Sequence, residues 1–336
     1  MKDEILSRIQ KKFPLVPKPF EVIANELGTT EKEVLKILNE QKEAGIIRQT
    51  SAIFDTKRLG YKSSLVAFEI DKEDIDKAVE ILNSHPGISH NYERNHSFNI
   101  WFTIAVEPDS ILGLEKTVEV LAKVTKAKDS IILPTLKLFK INVKLNTTGK
   151  DAKKEKVHKT KHKEIELTPL YKEVIKLTQY DIDFVSEPFK KTVEELGLDY
   201  EEYFAILQEL QEAGVMRRFA SILNHRKAGF NANAMVVWDV AEGKEGEVIG
   251  AKAAAFSAVS HCYLRPKYPN WPYNLFTMVH GKTTEETNGI IEEMAQEIDA
   301  KDHMPLYSSR EFKKVRIEYF TPAFKEWENK YKEISL

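Results

Sequence analysis

The sequence contains one cysteine, Cys262, so the chain has no internal disulfide. A chain of this kind fits a reducing compartment, and we expect a cytoplasmic protein. It contains no apolar run of about 18 residues, which excludes a membrane-spanning helix. The first residues, MKDEILSRIQKKF, are charged throughout and lack the apolar core of a secretion signal.

The sequence also has no large excess of either positive or negative charge. The 50 basic side chains are balanced by 52 acidic ones, which gives a formal net charge of -2. The chain as a whole therefore has no electrostatic attraction for nucleic acid or anionic membranes. Zinc-binding spacings such as CxxC or HExxH are absent, as are the glycine-rich phosphate loops GxGxxG and GxxxxGK[ST]. This argues against a zinc site and against a nucleotide cofactor.

An internal repeat dominates the 336 residues. The segment PFEVIANELGTTEKEVLKILNEQKEAGIIRQTSAIFDTKRLGY, which begins at Pro19, matches PFKKTVEELGLDYEEYFAILQELQEAGVMRRFASILNHRKAGF, which begins at Pro188, without a gap. The match continues, with small insertions, through SHNYERNHSFNIWFT and SHCYLRPKYPNWPYNLFT. Between the copies, residues 147–166 are rich in lysine and lack an apolar pattern, which is typical of a solvated linker.

Each copy begins with two helices and a short β-segment. Apolar residues recur at helical spacing from Val22 to Leu38, and Gly28 ends the first helix. Thr29 or Thr30 can cap the second helix, with Glu33 placed for a capping box. Gly45 ends the second helix, and IIRQTSAIF follows as short strands. This order predicts a winged helix-turn-helix at residues 1–60 and again at 167–229.

The second part of each copy alternates strands and helices. In the first copy the strands are SSLVAFEI, GISHNYER, FNIWFTIAV and a final strand LKLFKINVKL, with helices around 78–82 and 110–123. The order βαββαβ predicts a ferredoxin-like domain at 61–146. The second copy, at 230–336, repeats the order, ends with the strand FKKVRIEYF and adds a C-terminal helix. The fold class is therefore α+β, in two tandem copies.

A polar ladder marks both copies. Because side chains alternate along a strand, His90, Tyr92, Arg94 and His96 should share one face of the sheet. His261, Tyr263, Arg265 and Lys267 should share the corresponding face, whereas Cys262 points the other way as a small buried residue.

Such a ladder suits an anionic ligand that gains or loses a proton, because arginine grips carboxylates and histidine titrates near neutrality or binds iron. Trp101, Trp271 and Tyr273 offer flat surface for a planar ring. We expect both ladders to face one cavity between the two sheets.

A DNA-binding regulator is the obvious rival interpretation. The second helix of the second copy, in LDYEEYFAILQELQEAG, carries several carboxylates and no lysine or arginine, so DNA phosphates would repel it. The corresponding helix of the first copy is mixed in sign. Arg48, Arg217 and Arg218 follow these helices and would contact either phosphate or the carboxylates of a small ligand.

The repeated motifs resemble those of the siroheme decarboxylases, enzymes with the fold of Lrp/AsnC-type regulators. GIIRQTSAIFDTKRLGY with HNYERNHSFNIWFT resembles the A-type subunit, and GVMRRFASILNHRKAGF with SHCYLRPKYPNWPYNLFTMVHG resembles the B-type subunit. The resemblance covers nearly the whole chain except the linker and the ends. It implies a natural fusion of the two subunits.

The resemblance also implies a reaction, the loss of CO2 from two acetate side chains of siroheme to give didecarboxysiroheme for haem or haem d1 synthesis. No cofactor beyond this iron tetrapyrrole substrate is implied. His90, His96 and His261 become candidate proton donors or axial ligands to the substrate iron. The catalytic set also contains Arg94, Arg265, Tyr92 and Tyr263, with the arginines as carboxylate clamps. The substrate-binding set contains Arg48, Arg217, Arg218, Lys267, Trp101, Trp271, Tyr273 and Asn274.

Three interpretations stay open at this point: a siroheme decarboxylase, a ligand-responsive transcription regulator, and a haem-binding sensor without turnover. The two copies differ where His96 aligns near Trp271, so the chain contains either one productive site or two unequal ones. The halves should form a pseudo-dimer within the chain, and fused chains could pair further into a homodimer.

Overall fold

The computed structural model describes residues 1–11, 13–141, 163–223 and 232–335. Most of the predicted linker, up to residue 162, lies outside these ranges. The predicted domain limits at 146 and 229 fall outside them as well.

Three helices form the helical part of each copy. Thr30 caps α3 by accepting a hydrogen bond from the Glu33 N–H, as the sequence predicts, and Asp199 with Glu202 forms a full capping box on α8. Gly28 ends α2 in the left-handed conformation. The helices are α1 Lys2–Lys11, α2 Pro19–Leu27, α3 Glu31–Glu43, and in the second copy α6 Pro169–Thr178, α7 Lys190–Leu196 and α8 Tyr200–Glu212.

The strand after each helix pair does not form a wing within its own copy. β1 (Ile47–Phe54) pairs antiparallel with β7 (Met216–Leu223) of the other copy, in a two-stranded sheet of its own. The expected two-stranded wing is therefore wrong for the described residues. The physical reason is that each copy supplies one strand edge, and the equivalent edge of the other copy satisfies its backbone groups. The pairing joins the two helical units around one hydrophobic core.

Both ferredoxin-like domains are present and share one sheet. The strand order is β5-β2-β4-β3-β11-β8-β10-β9-β6. The elements of the first copy are β2 Lys62–Glu69, α4 Ile75–Ser84, β3 Ile88–Arg94, β4 Ile100–Val106, α5 Gly113–Val124, β5 Asp129–Leu133 and β6 Lys137–Ile141. Those of the second are β8 Ala232–Val240, α9 Gly243–Ala255, β9 Val259–Leu264, β10 Leu275–Gly281, α10 Thr284–Glu297, β11 Ala300–Lys314 and α11 Pro322–Tyr331.

The two copies exchange the ends of their last strands. The segment LKLFKINVKL was predicted as the final strand of the first domain, but β5 fills that place, and β6, the described part of the segment, pairs with β9 of the second copy. In return, the first half of β11 pairs with β8 and the second half pairs with β3 of the first copy. The exchange makes the halves a pseudo-dimer that is joined by backbone hydrogen bonds.

The two halves of this nine-stranded sheet pack face to face, with the helices on the outside. Residues from both sheets fill the space between them, and two of them, Trp101 and Trp271, are each only 1% exposed. The expected hollow between the sheets is therefore wrong. The apolar faces of the two halves pack against each other through these buried side chains.

Because backbone pairing links the halves, they should fold only together. We expect two chains cut within residues 142–162 to co-purify as a one-to-one complex when co-expressed. Each alone should expose the unpaired edge of β3 or β9 and aggregate. Size-exclusion chromatography with light scattering checks this, and a well-folded monomer of either half would contradict it.

A buried histidine outside the ladder makes stability depend on pH. His85 is 3% exposed, lies against Trp327 of α11, and its Nδ1 accepts a hydrogen bond from the Gly87 N–H at 3.0 Å. Burial and the charge of Lys313 lower the pKa of His85 to about 3. Between that value and the ordinary histidine pKa of about 6.5, the unfolded chain binds a proton that the folded chain does not.

We therefore expect the contribution of His85 to the free energy of unfolding to be complete above about pH 6.5. Below that pH it should fall by about 1.4 kcal/mol per pH unit. The variant His85→Gln, which keeps an acceptor for Gly87 but does not titrate, should flatten this part of the profile. Urea unfolding at several pH values measures it, with His303→Gln as the matched control. An unchanged slope in His85→Gln would show that another group is responsible.

Candidate functional site

A β-bulge shapes the ladder in each copy. The register of β3 shifts between Ile88 and His90, and that of β9 shifts between Val259 and His261. A bulge turns two consecutive side chains toward the same side of a strand. As a result, the serine hydroxyl reaches the Nδ1 atom of the histidine that follows it, at 2.9 Å from Ser89 to His90 and 2.8 Å from Ser260 to His261.

Beyond the bulge the ladder follows the predicted alternation. The rings of His90 and Tyr92 stack at 6.3 Å, and those of His261 and Tyr263 stack at 6.2 Å. Tyr92 and Tyr263 face Trp101 and Phe276 on the neighbouring strands, so both ladders point to the inner side of the sheets.

The two ladders do not meet. Three strands, β11, β8 and β10, separate β3 from β9 in the sheet. The expected single cavity shared by both ladders is therefore wrong, because each copy keeps its ladder in its own half of the sheet. The chain presents two separate histidine positions.

The arginine of each ladder contacts backbone of the other copy. An Nη1 atom of Arg94 donates to the Leu306 carbonyl at 2.7 Å, and Arg265 donates to the Leu133 carbonyl. Each guanidinium also lies over the tyrosine of its own ladder. Burial lowers the pKa of both arginines to about 10. These contacts favour a role in joining the halves, and the assignment as carboxylate clamps stays a prediction.

An aromatic cluster closes the end of the first ladder. β3 ends at Arg94, so His96 lies in the loop that follows, and its ring contacts Trp271 edge to face at 5.3 Å. Trp271 also contacts Trp101 at 5.3 Å. Both tryptophans are buried in the core between the sheets, where they offer no open face. Their predicted contact with a planar ring stays untested, and the structure favours a packing role.

The remaining predicted residues of the second copy make local contacts. Lys267 forms an ion pair with Asp239, and the Tyr273 hydroxyl donates to Asp302 at 2.7 Å. Asn274 is buried and accepts a hydrogen bond from the Val240 N–H at 3.0 Å. These side chains are already paired, so their role as substrate contacts stays a prediction.

The three arginines after the helix pairs lie in different surroundings. Arg48 is exposed, and within the described residues it makes no ion pair. Arg217 binds Asp55 with two nitrogens, at 2.7 and 3.1 Å. Arg218 borders a groove beside α8 that contains Tyr200 and Phe204. Only Arg48 therefore lies beside a ladder histidine.

A pocket of about 460 Å³ lies beside His90. It is bounded by β1, by the bulge of β3, and by residues 315–319, which follow β11. The Val315 N–H donates to the Ser89 carbonyl at 2.8 Å and so fixes this wall to the bulge. The lining includes Arg48, Phe54, His90, Gln179, Arg316 and Tyr319.

Two guanidiniums, those of Arg48 and Arg316, and one carboxylate, that of Glu318, line the pocket. The Arg316 Nη1 atom donates to Gln49 Oε1 at 3.3 Å, and neither Arg316 nor Arg48 has an ion-pair partner among the described residues. Burial and the charge of Arg48 lower the pKa of Arg316, and burial with the charge of Lys314 lowers that of His90. Two unpaired guanidiniums that repel each other favour an anion between them.

Sequence reasoning found only Arg48 and His90 of this pocket and missed the rest, including Ser89, Gln179, Arg316 and Tyr319. The Tyr319 backbone N–H donates to Gln179 Oε1 at 2.6 Å, and the Tyr319 hydroxyl is 2.7 Å from Thr56 Oγ1. The available signal was the cationic stretch KKVRIEYF, which was assigned to a strand. β11 ends at Lys314, and Val315 begins the pocket wall.

Other site classes find no support in the described part of the chain. Cys262 is fully buried on the opposite face from the ladder, and burial raises the pKa of its thiol to about 12. No group of three or more metal-ligating side chains occurs among the described residues. Nor does any helix there have the length and apolar character needed to cross a bilayer.

Family models match both copies. A model described as the AsnC-like ligand binding domain matches residues 58–140 and 227–313. A model described as the siroheme decarboxylase NirDL-like HTH domain matches residues 2–48 and 171–217. The matches repeat in the same order, as the internal repeat predicts.

One relative matches nearly the whole chain, and a single-subunit relative matches less than half of it. The siroheme decarboxylase of Hydrogenobacter thermophilus is 42% identical over 97% of this chain and 96% of its own. The siroheme decarboxylase beta subunit of Methanosarcina barkeri is 42% identical over 43% of this chain and 94% of its own. A crystal structure of the siroheme decarboxylase NirDL in complex with an iron-uroporphyrin III analogue has a TM-score of 0.82 and 36% identity, and covers 99% of this chain and 98% of that one.

Proposed function

The chain belongs to the siroheme decarboxylase family, and on this basis we propose that it removes CO2 from two acetate side chains of siroheme to give didecarboxysiroheme. The family relationship makes it a carboxy-lyase with fused halves. The product would serve an alternative route to haem or haem d1. The interpretations as a transcription regulator and as a sensor without turnover lose their support.

The structural observation that supports this proposal is the pair of cations beside His90 that have no ion-pair partner among the described residues. Arg48 and Arg316 enter the pocket from different parts of the chain and lack ion-pair partners among the described residues. Siroheme is a flat polycarboxylate, so guanidinium groups can bind its rim in two-point contacts. Phe54 and Tyr319 give the same pocket an aromatic lining.

The chemistry requires an electron acceptor and a proton. The bond between the acetate methylene carbon and its carboxylate breaks, CO2 leaves, and the electron pair remains on the methylene carbon, conjugated with the macrocycle. A proton is then transferred to that carbon and completes the methyl group. Each loss of CO2 therefore consumes one proton, and a ladder histidine is the group suited to deliver it.

The pocket would also distinguish the carboxylates that remain on the macrocycle from the acetate that reacts. Carboxylates that remain are held by the arginines, so the acetate that reacts can lie in a drier place where loss of charge is favoured. The macrocycle itself accepts the electron pair, so the reaction needs no cofactor besides the iron tetrapyrrole. Siroheme and didecarboxysiroheme are the proposed binding partners.

Anaerobic incubation of the full chain with siroheme tests the proposal. We expect two successive losses of CO2. Chromatography and mass spectrometry of the tetrapyrrole detect each loss. Tight binding with unchanged mass would instead indicate a sensor. A gel-shift with promoter DNA at stated salt tests the regulator interpretation, and the acidic surface of α8 predicts no specific shift.

A further inference from the structure

The wall of the pocket formed by residues 315–319 is held at both ends. At one end, the Val315 N–H donates to the Ser89 carbonyl at 2.8 Å. At the other end, the side-chain amide of Gln179 bonds both backbone groups of Tyr319. Its Oε1 accepts from the Tyr319 N–H at 2.6 Å, and its Nε2 donates to the Tyr319 carbonyl at 3.0 Å. The side chains between these two ends are therefore carried by a segment with a fixed backbone.

Gln179 is itself fixed in place. It follows the last residue of α6, and only 8% of it is exposed. Its Nε2 also donates to the Lys176 carbonyl at 3.0 Å. Because backbone N–H groups only donate and carbonyls only accept, these partners define which end of the amide faces which group. The side chain thus ties the first helix of the second copy to the pocket wall.

A second glutamine reaches Arg316 directly. Nε2 of Gln49, on β1, donates to the backbone carbonyl of Gln179 at 3.1 Å and to Ser51 Oγ at 3.0 Å. Its Oε1 accepts from Arg316 Nη1 at 3.3 Å. The orientation of this amide is also defined, because a carbonyl cannot donate and a guanidinium cannot accept.

Arg316 depends on such neutral contacts because it has no ion-pair partner among the described residues. A long side chain loses conformational entropy when it is held in one place. If the protein has already restricted it, the ligand does not meet that cost on binding. Burial raises the pKa of Tyr319 and the charge of Arg316 opposes the rise, which places the two side chains near each other.

We infer that Gln179 and Gln49 are positioning residues that hold Tyr319 and Arg316 ready to receive a carboxylate of the tetrapyrrole. The inference rests on the proposed function for the identity of the ligand, and on the hydrogen bonds for the placement of the wall. Neither glutamine takes part in the loss of CO2 or in proton transfer. Their removal should therefore weaken siroheme binding and leave the reaction of bound siroheme unchanged.

A double-mutant cycle with Arg316 tests this role, with anaerobic absorbance titration of the full chain by siroheme. Gln49→Met and Gln179→Met keep the length of the side chain and remove the amide. Each should weaken binding about fivefold, which corresponds to one lost hydrogen bond. In an Arg316→Gln background the same changes should weaken binding less than about twofold, because the group that they position is gone.

Turnover separates binding from chemistry in the same variants. In Gln49→Met, KM for siroheme should rise while kcat changes less than about twofold, because the lost interaction serves the bound substrate and the transition state equally. Gln49 is only partly buried on its strand, so this variant keeps the test valid if Gln179→Met lowers the stability of the chain.

Asn39→Leu is the matched control. Nδ2 of Asn39 also joins the two helical units, because it donates to the Phe184 carbonyl at 3.1 Å and to the Leu35 carbonyl at 3.0 Å. Asn39 lies outside the pocket lining. This variant should leave siroheme affinity unchanged with and without Arg316.

Hydrogen exchange of the free chain, followed by mass spectrometry, tests the placement of the wall without any ligand. Peptides that cover residues 315–320 should exchange faster in Gln179→Met than in wild type, and at the wild-type rate in Asn39→Leu. Equal weakening of siroheme binding with and without Arg316, or unchanged exchange of this segment in Gln179→Met, would overturn the inference. A wild-type chain that does not bind siroheme would instead contradict the proposed function, and the exchange result still decides whether Gln179 holds the wall.

Discussion

The double variant His90→Gln/His261→Gln should lose about two to four orders of magnitude in kcat for siroheme decarboxylation, the usual contribution of a positioned proton donor. Glutamine fills a similar volume and hydrogen-bonds, but it delivers no proton. Either single variant should lower kcat less than the double variant does, because each leaves the histidine of the other half intact. Anaerobic single-turnover assays with mass detection of the tetrapyrrole measure these rates.

Folding and binding must be controlled in the same samples. The double variant should unfold at nearly the wild-type temperature and still bind siroheme, because neither histidine belongs to a hydrophobic core of the molecule. A double variant with more than about a tenth of wild-type kcat would remove both histidines from the proton-transfer step.

The second large effect is expected from Arg48→Gln/Arg316→Gln. Removal of both unpaired cations from the pocket should weaken siroheme binding at the His90 half by about tenfold to a hundredfold, because charge-assisted hydrogen bonds to its carboxylates are lost. The remaining binding should depend less on salt. An anaerobic absorbance titration at two salt concentrations measures both quantities, and its stoichiometry shows how many tetrapyrroles one chain binds.

A charge-matched control separates the pocket from overall charge. The double variant Lys72→Gln/Lys116→Gln removes two exposed positive charges outside the pocket lining and should leave the titration unchanged. The Arg48 and Arg316 variant should also be no less stable than wild type, because it removes a repulsion. Unchanged affinity in that variant would place the siroheme carboxylates elsewhere on the chain.

The local patterns were predicted well from sequence. The repeat, the α+β class and the family are confirmed by the fold and by the comparisons. The alternation that grouped His90 with Tyr92 and His261 with Tyr263 holds in both strands. Period-two geometry is a property of a single strand, so a sequence is sufficient to reveal it.

The bulge was not predictable from alternation. Strict alternation would place Ser89 on the face opposite His90, yet the register shift brings it to the same side. An extra residue in a strand leaves no mark on side-chain chemistry when the partner strand is unknown. This is why the hydroxyl partners of both histidines escaped the analysis of the sequence.

By itself, the sequence determined the duplication, the class of each domain, the family, and the residue types of the ladder, because all of these are written in local spacing and in motifs. The tertiary structure decided which copy each last strand pairs with, where the ladders lie, and which residues join His90 in a pocket. The equivalent strands of the two copies have nearly the same sequence pattern, so the sequence does not show which copy a last strand pairs with. Only the packing of the whole chain decides that pairing. Arg48 and Arg316, near opposite ends of the sequence, become neighbours through that choice.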